Sequence, residues 1–385
     1  MSMPKNLTPI ANPDLSQEHP TVLEIDLGAL KHNLQVLKSR LQQKTKFLAV
    51  VKAFAYGSDA LKIAQTLEEE GVDYLAVAYT SEGIALRDGG IRLPILVLHP
   101  QPDQLSRCID RCLEPSIYSP RLLRAFVKTA EEKQQTDYPI HLKFNTGLNR
   151  LGFWENDVDR VNELLQNTRS TKVKGLLSHL AASDDPAEKE FTQAQLKQFE
   201  KIGKELVEKL GYQPLRHLLN SSGILNYPEA QFEMVRSGIA LYGYGNAPEF
   251  DAELKPLGRL RTVISQLHKI EPGESVGYNR AYKAEAYQLI ATLPLGHADG
   301  IGRQYGHGKG QVWLQGQLAP IIGNVCMDML MVDVTGLDCK EGDPVIVFGP
   351  EHSAEDFARG AGTISYELLT GISSRVPRQI IDSTR

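Results

Sequence analysis

Lys46-Phe-Leu-Ala-Val-Val-Lys-Ala-Phe-Ala-Tyr-Gly57 is the stretch that decides how the chain reads. Phe47 to Val51 form an unbroken apolar run, the pattern of a strand buried on both faces in a parallel sheet. Lys52 closes the run where burial disfavours charge, because a desolvated ammonium loses pKa or needs a partner. Tyr56 and Gly57 come next, in the adjoining turn. A lysine at the carboxyl end of a buried strand suits an enzyme that needs a nucleophilic amine, as Schiff-base chemistry does. A lysine snorkelling out of the strand end would look the same in isolation, so the reading depends on the rest of the chain.

Outward from this stretch, short apolar strands alternate with amphipathic helices from Lys46 to Tyr242. The strands read as 47–52, 74–78, 95–99, 115–118, 140–144, 173–179, 215–220 and 234–239, with helices over 59–70, 81–89, 120–134, 157–168 and 188–210. This is the length and rhythm of a (β/α)8 TIM-type barrel, with a doubly wound open sheet as the alternative. After Leu257 the rhythm changes to β segments separated by Gly, Pro and Asp turns, with one long helical pattern over 354–369. The domain reading is a loose tail over residues 1–20, a barrel over 21–256 and a mainly β carboxyl-terminal domain over 257–385. Gly306-His-Gly-Lys-Gly310 resembles a phosphate loop but has no helix after it, and reads as a turn.

Composition excludes several classes. The 385 residues are 42% hydrophobic and 23% charged, with a net charge of −5, ordinary values for a soluble globular protein. No basic cluster points to nucleic acid, and no apolar run is long enough to span a membrane. The amino terminus lacks a signal-peptide core. Four cysteines do not make a disulfide framework in a chain this long; Cys108 and Cys112 share a predicted helix without metal-binding companions. No metal site is expected, and the protein reads as cytoplasmic.

In a (β/α)8 barrel the reacting groups sit at the carboxyl ends of the strands. Those ends carry Lys52, Lys143, His179, Asn220 with Ser221, and Arg236. Ionisable and polar types therefore recur at one structural level, which random placement would scatter.

These residues also point to a family. Val51-Lys-Ala-Phe-Ala-Tyr-Gly57 resembles the pyridoxal-phosphate signature of alanine racemases. So do His141-Leu-Lys-Phe-Asn-Thr-Gly-Leu-Asn-Arg-Leu-Gly152, Ser178-His-Leu-Ala181 and Arg236-Ser-Gly-Ile-Ala-Leu-Tyr-Gly243. The resemblance continues in order through Val276-Gly-Tyr278, Ala298-Asp-Gly300, Asn324-Val-Cys-Met-Asp328, Tyr366-Glu367 and Arg375-Val-Pro-Arg378, covering about residues 21 to 381. It implies a barrel, then a β domain, and a homodimer with shared active sites.

The resemblance also implies roles. Lys52 holds pyridoxal 5'-phosphate as an internal aldimine, and Tyr278 from the partner subunit is the second acid/base, so that L- and D-alanine interconvert through a two-base mechanism. Tyrosine's ordinary pKa of about 10 is high for a base near neutrality, and Arg150 and His179 are the cations expected to lower it. Arg236 faces the cofactor's ring nitrogen, where a permanently charged donor disfavours protonation, and His217 orients it. His179 and Asn220 contact the cofactor. Tyr56, Ser221, Tyr366 and the amides of Gly238 and Ile239 hold the phosphate. Lys143 resembles the family lysine that becomes carbamylated and partners Arg150. Arg150, Met327 and Asp328 match the segments that receive the substrate carboxylate. The implied purpose is D-alanine for peptidoglycan.

Phe54, Asn145 and His297 depart from the family pattern, without removing a catalytic group. A racemase of broader range, serine included, is the nearest alternative, and Tyr366 favours a small side-chain pocket. A pyridoxal-phosphate carrier protein is an alternative of another class, against which the second domain and Tyr278 speak.

Overall fold

The computed structural model describes residues 19–383 and divides the chain into two compact units. Of the described residues, one unit comprises 27–257 and 382–383; the other joins 19–26 to 258–381. The first described strand, β1 (Val22–Asp26), belongs to the second of these.

The unit of residues 27–257 is a (β/α)8 barrel. Its strands are β2 (Lys46–Val50), β3 (Tyr74–Val77), β4 (Ile95–Val97), β5 (Glu114–Ile117), β6 (Tyr138–Lys143), β7 (Thr171–Leu177), β8 (Leu215–His217) and β9 (Met234–Ser237). They pair in parallel in the order β8-β7-β6-β5-β4-β3-β2-β9. The backbone amide of Arg236 donates to the Leu219 carbonyl at 3.1 Å and draws the two ends of the sheet together. The open-sheet alternative is thereby excluded.

Each helix is set by sequence. Over Pro120–Glu132, Ser119 Oγ accepts from Leu122 N at 3.2 Å and Pro120 occupies the first turn, an amino-terminal cap with its pre-set φ. Leu122, Leu123, Phe126 and Ala130 recur at helical spacing and are buried; burying a side chain such as Phe126 contributes about 2–3 kcal/mol. Helix Lys189–Leu210 ends at Gly211, whose φ of 75° supplies the left-handed closing residue.

The second unit is mainly β. Its strands after β1 are β10 (Gly258–Val263), β11 (Gln266–Ile270), β12 (Ser275–Val276), β13 (Tyr282–Lys283), β14 (Gln288–Leu293), β15 (Gln311–Leu314), β16 (Gln317–Ile322), β17 (Leu330–Asp333), β18 (Pro344–Phe348) and β19 (Arg378–Ile381). A nine-stranded sheet runs β11-β14-β17-β16-β15-β18-β10-β1-β19. Alternate residues of β10 are buried, as in a sheet with one face on a core.

Three differences from the sequence reading have physical causes. Strand β1, which falls inside the barrel's expected span of 21–256, pairs antiparallel with β10 and parallel with β19. Val22, Leu23 and Ile25 are buried there, and Glu24 forms ion pairs with Arg259 and Arg261. The helix expected over 354–369 is two, Ala354–Gly360 and Ser365–Gly371, parted where Gly362 takes a φ of 74°. Cys112 falls outside the helix of Cys108, in a left-handed conformation of φ 49°. The tail expected over residues 1–20 lies, up to residue 18, outside the described residues. Among the described residues no helix is long and apolar enough to cross a membrane.

Candidate active site

Strand β2 ends at Val50, so Lys52 stands just beyond the strand rather than in it. The turn it opens has an unusual backbone. Ala53, Phe54, Ala55 and Tyr56 all have left-handed dihedrals, with φ of 52°, 55°, 53° and 54°, and Gly57 continues at 80°. For residues with a Cβ this costs roughly 1–2 kcal/mol each, and such a run persists only where its surroundings over-determine it. Glu82 is part of that determination. Its carboxylate accepts from the backbone amides of Ala53 at 2.6 Å, Ala78 at 2.7 Å and Tyr79 at 3.0 Å, so one side chain ties the turn to the end of β3. The turn brings Tyr56 inward and sets its ring against that of Tyr242, centroids 4.4 Å apart and planes tilted by 31°, while Phe54 projects with 78% of its surface exposed.

Tyr56 presses on the loop after β9. A Cβ at Gly238 would lie 2.1 Å from the Tyr56 hydroxyl oxygen, so that approach requires glycine. Ser221 meets the same loop from the other side. Its Oγ accepts from Gly238 N at 3.1 Å and Ala240 N at 3.4 Å. The amides of Gly238 and Ala240 thus converge on Ser221, with the amide of Ile239 between them. Asn220 caps helix Ser221–Asn226, accepting from Gly223 N at 2.9 Å and from Ser183 Oγ at 2.7 Å.

The loop after β6 folds back on its strand. Phe153 N donates to Lys143 O and Asn145 N to Phe153 O, each at 2.8 Å. Asn145 organises this loop: Oδ1 accepts from the amides of Gly147 and Asn149, and Nδ2 donates to Asn149 Oδ1 at 2.8 Å. An aspartate would accept from both amides but would face Asn149 Oδ1 with another acceptor. Asn145 and Asn149 therefore match as a pair, and Arg150 stands next to them on the exposed part of the loop.

The electrostatics are one-signed. Burial lowers the Lys52 pKa, the Arg150 charge lowers it further, and Glu82 acts in the opposite sense. Lys143 is pushed down to about 8 by burial and by the charges of Arg150, Arg236 and Lys52. Arg236 is only 4% exposed. Its Nη1 donates to His217 O at 2.6 Å and His217 Nδ1 at 3.1 Å; its Nη2 donates to Ser178 O at 2.7 Å, Leu218 O at 3.0 Å and His179 Nδ1 at 3.2 Å. His179 accepts at Nδ1 and is held well below its ordinary pKa by burial and by Arg236, Arg150, Lys143 and Lys52. It is a neutral acceptor. The sequence reading made it a cation; in the structure it accepts from Arg236 instead.

The barrel thus brings together Lys52, Tyr56, Lys143, Arg150, His179, His217, Ser221, Arg236 and Gly238. The remaining candidates lie in the β unit. Tyr278 is 71% exposed on a short 3-10 turn after β12, where Gly277, Asn279 and Arg280 all have positive φ and Asn324 Nδ2 donates to Tyr278 O at 3.1 Å. His297 is exposed; its amide donates to Cys326 O at 2.9 Å, and Ala298 N donates to Met327 O at 3.0 Å. Arg375 bridges Asp299 and Asp328 at 2.9 Å each. Residues 324–328 therefore anchor both the Tyr278 turn and the His297 turn, and present Met327 58% exposed. Tyr366 is half-buried on helix Ser365–Gly371. Sequence reasoning missed Glu82, whose signal was a carboxylate in the first turn of the helix after β3. It also missed Glu114 and His141, which are buried on β5 and β6.

Residues 25–246 match the model of the alanine racemase N-terminal domain, and residues 257–380 that of the alanine racemase C-terminal domain. The chain belongs to the alanine racemase family. It is 39% identical over 377 residues to the alanine racemase of Clostridium novyi (strain NT), covering 94% of this chain and 95% of that one. Among solved structures, the alanine racemase of Clostridium difficile 630 superposes with a TM-score of 0.89 at 34% identity, covering 95% of this chain and 97% of that one. The alanine racemase of Bartonella henselae, solved with covalently bound pyridoxal phosphate, gives a TM-score of 0.86 at 28% identity over 94% of this chain and 100% of that one. Family membership makes the chain an isomerase acting on alanine. A match over both domains removes the carrier alternative, which lacks the second.

Proposed function

We propose that the chain interconverts L- and D-alanine with pyridoxal 5'-phosphate held at the barrel mouth, using Lys52 and Tyr278 as acid/bases on opposite faces of the α-carbon. The observation that carries this reading is the group of Lys52, Lys143, Arg150 and Arg236, which act on one another electrostatically with Glu82 as the carboxylate acting on Lys52. Glu82 is itself occupied by three backbone amides. Such a set fits an anionic aldehyde: an amine with a lowered pKa to attach it, cations to neutralise it, and Ser221, Tyr56 and the amides of Gly238 and Ile239 to hold a phosphate, joined by Tyr366. When bound, the cofactor supplies the electron sink that the α-carbon's charge requires.

The chain's own groups do the rest. Lys52 Nζ would hold the cofactor's aldehyde group and, with substrate bound, would carry the α-proton on one face. Its burial and the Arg150 charge raise the fraction of free amine. Tyr278 Oη, from the second subunit of a homodimer, carries the proton on the other face. Arg236 spends Nη1 and Nη2 on the protein, which leaves Nε–H for the ring nitrogen; a charged donor there keeps that nitrogen unprotonated. Arg150 and Met327 receive the substrate carboxylate, with Asp328 in support. With a pKa of about 8, Lys143 has a neutral fraction that can take up carbon dioxide, giving Arg150 an anionic partner. All four cysteines are unpaired, which suits a reducing cytoplasm and a role in peptidoglycan precursor supply. Incubating the purified protein with pyridoxal 5'-phosphate and L-alanine, then measuring D-alanine with a D-amino-acid oxidase, tests the reading: D-alanine accumulates to an equal mixture, and its absence rejects the proposal.

A further inference from the structure

The barrel interior holds a buried cation and a buried anion that do not touch. Arg236 is 4% exposed, and its bonds go to carbonyls and imidazoles, with no carboxylate among the described residues in ion-pair reach. Glu114, at the start of β5, is 9% exposed, and its bonds go to His141 and to the Tyr74 hydroxyl rather than to a lysine or arginine. A buried charge without compensation is strongly unfavourable. Two imidazoles connect these charges. Arg236 Nη1 lies 3.1 Å from His217 Nδ1, His217 Nε2 lies 3.0 Å from His141 Nδ1, and His141 Nε2 lies 2.8 Å from Glu114 Oε2. Both rings are fully buried.

Only one proton order satisfies this chain. A guanidinium donates and never accepts, so His217 Nδ1 is an acceptor and its proton is on Nε2. That proton points at His141 Nδ1, so His141 carries its own on Nε2 and gives it to the carboxylate. The Tyr74 hydroxyl also donates to Glu114, so the carboxyl accepts from two side chains. Each ring is neutral, in a single tautomer, and every bond runs the same way, from cation to anion. We propose that Glu114 and His141, acting through His217, are positioning residues for Arg236: the ordered chain gives the guanidinium its counter-charge from across the barrel core and fixes its plane.

The surroundings agree. Gly175, on β7, faces the junction of the two rings; a Cβ there would lie 2.1 Å from His141 Nδ1, the atom that receives the His217 proton. Burial, together with the Arg236 charge, holds His217 well below its ordinary pKa, which keeps it neutral. The groups facing the chain come from β3 (Tyr74), β5 (Glu114), β6 (His141), β8 (His217) and β9 (Arg236), and none is aliphatic where barrel interiors usually are. Mutual polarisation along such a chain makes each bond stronger than it is alone.

The functional consequence rests on the proposed placement of Arg236 against the cofactor's ring nitrogen, and the test separates the two claims. Holoenzyme labelled with 15N-histidine reports tautomers directly. The wild type is expected to show His141 and His217 as neutral Nε2–H rings from about pH 6 to about pH 9, a span that brackets the ordinary imidazole titration. Either ring appearing cationic, or as the Nδ1–H form, overturns the chain whether or not any variant folds. Glu114→Gln keeps an acceptor and removes the charge. It is expected to move the His217 nitrogen signals, although that residue is two bonds removed, and to lower kcat about tenfold with KM for alanine unchanged, as loss of outer support does. Gly175→Ala, on another strand, is expected to move the same signals. His217 signals and kcat that ignore both substitutions overturn the proposal. A wild type that forms no D-alanine, with the tautomers as expected, overturns the functional reading and leaves the chain standing.

Discussion

In the barrel, Arg236 is almost wholly buried and both its terminal nitrogens are committed to protein acceptors; in the β unit, Tyr278 is 71% exposed on a turn tied to the Asn324 side chain. Lys52 likewise leads into a left-handed turn clamped by Glu82, whereas Met327 and His297 stand on exposed loops. The first set is preorganised by its own chain, with backbone strain and buried charge as the cost. The second is organised locally around residues 324–328 but presents its chemistry to solvent. A free tyrosine's ordinary pKa of about 10 is high for a base near neutrality, and in the proposed homodimer the partner's barrel would supply the cation this half lacks.

The sharpest way to break this contrast is to remove the amine. Lys52→Ala is expected to lower racemase activity by about 10⁴-fold, the upper range for one proton-transfer group, and to abolish borohydride trapping of the cofactor on the 46–57 peptide. Trapping on Lys143 instead contradicts the assignment. Next in size, Tyr278→Phe is expected to cost about 10²–10³-fold in kcat, yet its exposure means that thermal unfolding shifts stability by no more than about 0.5 kcal/mol. Mixing this variant with Lys52→Ala after unfolding and refolding should restore about a quarter of the activity, because about half the dimers are then mixed and each holds one intact site. No recovery with proven subunit exchange places both bases on one chain.

A smaller effect sharpens the barrel side. Lys143 has a folded pKa of about 8 against an ordinary 10.5. Between those values the unfolded chain binds more protons, so stability rises with pH across the window and the penalty for the charged amine is fully present below about pH 8. In buffer free of carbon dioxide, urea unfolding of the cofactor-free protein is expected to show a gain on the order of 3 kcal/mol from this group as pH rises through the window. Lys143→Met should flatten it, and an unchanged slope contradicts the buried, unpaired amine. Smallest is the strain in the turn: Phe54→Gly gives up a mostly exposed ring and relieves one left-handed residue, and is expected to stabilise by about 1 kcal/mol in urea midpoints. Destabilisation would show that the turn is not strained there.

Most of the barrel was legible because its strands are short apolar runs at regular spacing, and the helix over 120–132 differs from the sequence reading only at its end. Strand ends were overrun: the run 215–220 yields a strand only to His217, because the polar residues at the mouth have already left the sheet to take up hydrogen bonds of their own. The left-handed turn was invisible, since Ala53-Phe-Ala-Tyr56 contains neither glycine nor asparagine to announce positive φ. The segment of β1 was grouped with the barrel because nothing local in it announces a strand that pairs with residues more than 200 positions later. The polar chain through the core escaped notice for the same reason: Glu114, His141 and His217 lie on different strands, and only a charge inside a buried strand, with Gly175 in a neighbouring one, hints at it.

The central claim is that two groups, on opposite faces, exchange the α-proton with solvent. The most direct measurement is racemisation of L-alanine by the cofactor-loaded enzyme in deuterium oxide, with both enantiomers separated and their α-hydrogen read by mass spectrometry. The account predicts that newly formed D-alanine carries deuterium at the α-carbon from the first turnovers, and that Tyr278→Phe loses racemisation while still exchanging the α-hydrogen of one enantiomer through Lys52. D-alanine that retains the original hydrogen, or a Tyr278→Phe enzyme that racemises as fast as the wild type, would contradict it.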